Sequence, residues 1–108
     1  MYIEIVHNPA GDIMACYCVD TLPVIDSATL FTFTKKLPDE YTQTRVNIDT
    51  VFAMEIDINS GPKAILDNIG QPKIVNVSRA EYIMSNFLAD VSSSFVKYDL
   101  KFVNLKRK

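Results

Sequence analysis

The chain has no tryptophan, a single histidine, two cysteines and three glycines, and these shortages close several functional classes at once. Gly11, Gly61 and Gly70 stand far apart, so neither a phosphate-cradling loop nor a dinucleotide fingerprint can be assembled from them. Two cysteines and one histidine fall short of the four ligands, at set spacings, that a structural zinc ion takes. No apolar run approaches the roughly 20 residues that carry a helix across a bilayer. Met1-Tyr2-Ile3-Glu4 has an early acid and no basic stretch, so no secretory leader is expected and the cytoplasm is the expected compartment. No cofactor and no membrane partner are expected.

What is present is ordinary for a globular protein. The 108 residues are 48% hydrophobic and 22% charged, suited to one domain spanning residues 1–108. A chain of this length buries enough surface to build a core without metals or disulfides. The net charge of −2 conceals a polarity: residues 1–60 carry nine acids and three bases, whereas residues 61–108 carry four acids and eight bases. Lys97, Lys101, Lys106, Arg107 and Lys108 concentrate the positive charge near the end, where a solvated, frayed terminus is the expected state.

Periodicity predicts an α+β fold: an antiparallel-rich sheet of five to six strands, opening with a β-hairpin and packed against one main amphipathic helix. Residues 2–6 and 13–19 are rich in β-formers, and Asn8, Pro9 and Gly11 between them favour a reversal. A four-residue loop would pair His7 with Asp12, Ile5 with Met14 and Ile3 with Cys16. Ile3, Ile5, Met14, Cys16 and Cys18 then face the core, and Tyr2, Glu4 and Val6 face away. Further strands are expected at 30–35, 42–48, 51–58 and 73–77, with a short helix over 63–68. Ser78-Arg79-Ala80-Glu81 matches a capping box, and Ala80, Ile83, Met84, Phe87, Leu88 and Val91 continue a helical stripe over about 79–91. Residues 95–105 alternate as a final strand; whether 92–98 extends the helix or begins that strand stays open.

Four residue sets deserve weighing as chemistry. Cys16 and Cys18, two apart on a strand, place their Cα atoms about 6.5–7 Å apart, at the edge of disulfide reach, and are read as small buried apolar residues. His7 is of the residue type that changes charge near neutral pH, and with Asp12 across the hairpin it would make an oriented acid–base couple at an exposed tip. Glu55 and Asp57, on one face of the expected strand at 51–58, would offer paired carboxylates near Asp49 or simply a solvated face. Ser92-Ser93-Ser94 has no adjacent base and reads as a polar connection.

No catalytic, cofactor-binding or metal-binding residue follows from these patterns. The reading they favour is a small non-catalytic interaction or assembly module, with homo-oligomerisation through free strand edges. Two alternatives stand beside it: a small enzyme with a site around His7/Asp12 or Glu55/Asp57, and a nucleic-acid or acidic-partner binder acting through the basic C-terminus. A sequence pI of 5.2 makes nucleic acid the weaker partner.

Overall fold

The computed structural model describes residues 1–20, 37–97 and 99–108. It contains β1 (Tyr2–His7), β2 (Ile13–Val19), β3 (Thr42–Val46), α1 (Thr50–Asn59), β4 (Gly61–Leu66), β5 (Pro72–Val77), α2 (Arg79–Asn86), β6 (Phe87–Lys97) and β7 (Leu100–Arg107). Five strands form one sheet in the order β2-β1-β3-β7-β6, and β4-β5 form a separate two-stranded ribbon. All described pairings are antiparallel except β3 with β7. The fold is therefore the expected α+β type with an N-terminal hairpin. The strand expected at residues 30–35 lies outside the described residues.

The hairpin forms in a register different from the expected one. Ile3 pairs with Cys18 and Ile5 with Cys16, and a bulge after Val6 sets His7 opposite Ile13. Asn8 causes the shift: its side-chain oxygen accepts from the backbone N–H groups of Ala10 and Asp12, tightening the loop into a specific knot. A two-residue slip preserves the faces, so Ile3, Ile5, Cys16 and Cys18 still turn inward, while Met14, beside the bulge, is exposed. The expected solvent face of β1 is also corrected. Glu4 and Val6 are buried, with Glu4 facing Arg45 across β3 in a buried ion pair of 3.4 Å.

Residues 51–58 form a helix, not a strand. Phe52 and Ile56 fit a period of two and equally the i, i+4 spacing of a helix. Asp49 decides between them, because its carboxylate accepts from the Phe52 N–H at 2.7 Å and caps a first turn. Conversely, the expected short helix over 63–68 is strand β4, held by six pairings with β5 from Gly61–Val77 to Leu66–Pro72. The second helix among the described residues is thus α1, at Thr50–Asn59, and not the expected one over 63–68.

The serine cap expected at α2 forms, with the Ser78 hydroxyl accepting from the Glu81 N–H at 3.1 Å. The helix stops at Asn86, however, and Phe87, Leu88 and Val91 belong to β6. Phe87 takes an extended conformation because β7 offers it a partner, Arg107, and the backbone ladder continues from there. Residues 92–97 are therefore strand. The single strand expected over 95–105 is a hairpin: Asp99 adopts φ 62, the chain reverses, and Phe95 stacks on Phe102 at 5.1 Å. The serine triplet occupies a bulge between Asp90 and Phe95, where Ser93 accepts from the Asn104 N–H and donates to the Asp90 carbonyl.

One face of the sheet carries Ile3, Ile5, Val46, Val103 and Leu105, and Ile56 of α1, Ile83 of α2 and Phe87 pack into the same core. Phe52 and Tyr82 approach the Phe87 ring at 5.0 and 6.2 Å. The sheet curves enough for the Ala89 N–H of β6 to donate to the Gly11 carbonyl beside β2.

Candidate functional site

The residues singled out in the sequence are dispersed by the fold. His7 is buried rather than at an exposed tip, and its Nδ1 donates to the Asn8 carbonyl at 3.0 Å. Since a carbonyl only accepts, the Nε2 atom of the neutral ring is left as an acceptor. Asp12 is exposed and accepts from the Asn8 side-chain amide, so the expected His7–Asp12 couple is not assembled. Glu55 and Asp57, two apart on a helix, point in different directions. Glu55 is engaged by Arg107 and by the Tyr82 hydroxyl, and Asp57 by Arg79 at 3.2 Å. The guanidinium of Arg107 holds the Glu55 carboxyl below its ordinary range, while burial and then Glu55 push the Tyr82 hydroxyl up.

Cys16 and Cys18 are free, half-buried thiols with their sulfurs 3.9 Å apart. Their contact raises Cys16 and lowers Cys18, and Arg79 reinforces the second shift. Among the described residues no three of His, Cys, Asp and Glu gather closely enough to hold a metal ion. The basic terminus is not frayed. It runs in strand β7, where Arg107 lies over the Phe52 and Phe87 rings at 5.3 and 5.6 Å, and the Lys108 N–H reaches the Asn86 carbonyl.

Two features that spacing alone concealed stand out instead. The first is an apolar surface on the β4–β5 ribbon. Alternation along the paired strands puts the half-buried Gly61, Lys63, Val75 and Val77 on one side, together with the exposed Ile65 and Lys73. Pro62, Ala64, Leu66, Pro72, Ile74 and Asn76 share the other side, and all six are exposed. Leu66 is 70% exposed, Ile74 76%, and Ile69 in the connecting turn 80%. Immediately before the ribbon, α1 carries a second apolar stripe. Val51, Met54 and Ile58 recur at i, i+3 and i+7 on the helix side away from Ile56, and all three are exposed. A helix apolar on opposite sides belongs in an environment that covers both. The signal for this stripe is the run of apolar residues over 51–58, whose alternation also fits a strand.

The second feature is a half-open pocket of about 230 Å³ between β1, β3 and the bulge of β6, lined by His7, Thr42, Thr44, Ser94, Phe95 and Lys101 among others. His7 Nε2 and Thr44 Oγ1 are both buried and neither has a hydrogen-bond partner among the described residues. An unpaired buried polar group costs about 1–3 kcal/mol, so two of them on residues that line one pocket concentrate that cost in one place.

No family of known proteins, no curated protein and no solved structure matches the chain.

Proposed function

We propose that the protein is a homo-oligomeric assembly module whose copies join head to tail, the apolar side of the β4–β5 ribbon of one resting on the outer stripe of α1 in the next. The observation that carries this reading is the ribbon side itself, where five of six residues are apolar and all are exposed. Contiguous apolar surface of this kind marks interaction sites in soluble proteins. A two-stranded ribbon is also marginal by itself and gains from a surface laid against it.

The charge polarity of the chain favours a second copy as the occupant. Lys63 and Lys73 stand on the ribbon side away from the apolar one, against Asp67, whereas α1 and its cap carry Asp49, Glu55 and Asp57, of which Glu55 pairs with Arg107 and Asp57 with Arg79. The same polarity extends over the chain, acidic through residue 60 and basic beyond it. Apolar contact would supply the affinity and charge the orientation. Because the two surfaces differ, the contact is heterologous, closing into a ring or continuing as a filament.

Light scattering after gel filtration tests this at micromolar concentration, where the expected mass is a multiple of the 12.2 kDa chain. A Leu66→Glu/Ile74→Glu variant and a Met54→Glu/Ile58→Glu variant should each be monomeric. Mixed together they should form a one-to-one dimer, because each retains one intact half of the contact. A wild-type monomer would overturn the reading, and a mixture that stays monomeric would overturn the head-to-tail geometry.

A further inference from the structure

We infer that the pocket between β1, β3 and the β6 bulge is a binding site for a small hydroxycarboxylic acid. His7 is 4% exposed and Thr44 3%, and each of these two lining residues holds a buried polar atom without a partner among the described residues. In the tautomer fixed by the Asn8 carbonyl, His7 Nε2 seeks a donor, which a ligand hydroxyl supplies. The Thr44 hydroxyl can donate, and Lys101 brings a positive charge to the same lining, so the complementary group is an anionic acceptor. Among the described residues that line the pocket there is no acid.

Val91, Phe95 and Val96 form the apolar part of the wall and accommodate a short carbon chain. The volume, about 230 Å³, lies below the range that holds drug-sized molecules and suits a ligand of a few carbon atoms. The serine triplet gives the pocket its shape. Ser93 and Ser94 bond backbone carbonyls of Asp90 and Val91, so β6 bends and carries Val91, Ser94 and Phe95 into the lining. A stretch that reads as a mere connection thereby positions one wall.

The single histidine makes the test direct, because its Cε1–H proton resonance in the NMR spectrum of the full chain reports the pocket alone. Titration with 3-hydroxybutyrate should shift that resonance saturably, and butyrate, which lacks the hydroxyl, should bind about tenfold more weakly or worse. Lys101→Met and Thr44→Val should each weaken 3-hydroxybutyrate by about tenfold, with thermal unfolding used to verify that both variants are folded. Should 3-hydroxybutyrate leave the histidine resonance unmoved, the inference fails. It fails equally if butyrate binds as well, or if both folded variants bind like wild type.

Discussion

Single atoms decide several features of this fold. Gly11 adopts φ +91, and a Cβ there would lie 2.3 Å from the Ala89 carbonyl oxygen, so the hairpin loop can dock on β6 only through glycine. Gly11→Ala should lower stability by roughly 1–3 kcal/mol, measured by urea unfolding; a loss below a few tenths would mean that the loop does not need this approach. Glu55 illustrates a charge effect with a definite pH signature. Its pairing with Arg107 lowers its folded pKa beneath the unfolded value. The stabilisation is therefore complete above about pH 4.3, the value for an unperturbed glutamate, and is lost as pH falls through the folded pKa. Glu55→Gln should be less stable than wild type at neutral pH, with the gap closing in acid; a gap independent of pH would remove the ion pair from the account.

At the level of elements, caps and turns decided what hydrophobic spacing left ambiguous. Asp49→Ala removes the cap of α1 and should cost about 1 kcal/mol, whereas the same change in a strand-to-strand turn would be nearly neutral, so urea unfolding of this variant reports on the helix itself. The cap at Ser78 was legible because serine and glutamate stand at the required interval before an apolar stripe. Asp49 offered the same kind of signal, but Phe52, Met54, Ile56 and Ile58 alternate so cleanly that they imitate a half-buried strand. They do so because α1 has two apolar sides, one packed in the core and one exposed. The hairpin was legible from its β-formers and turn residues and β3 from alternation, but the reversal at Asp99 was not. A chain of alternating residues looks the same whether or not it folds back, and the positive φ at Asp99 marks the reversal between β6 and β7. Neither the ribbon surface nor the His7 pocket could be read without pairing, since each is composed of residues brought together across strands.

Over the whole molecule, packing is uneven. The curved sheet and its helices share one core, in which nine of the described apolar residues are buried, and none of those nine belongs to β4 or β5. The extents of 51 × 30 × 30 Å and a radius of gyration of 15.5 Å describe a shape longer than the compact form expected near 13 Å for this chain length. Local stability follows buried contact, so the ribbon should open independently of the sheet when no second copy covers it. Hydrogen exchange can measure both parts of that statement. In the Leu66→Glu/Ile74→Glu variant, amides of β4 and β5 should exchange well before those of β1, β3 and β7. In the wild-type protein, raising the concentration from nanomolar to tens of micromolar should slow exchange in the ribbon and in the exposed turns of α1, with β1 and β3 unaffected. Protection rising at the ribbon alone would indicate that two ribbons pair with each other. Protection independent of concentration at both segments would leave the apolar side of the ribbon without a second copy as its occupant.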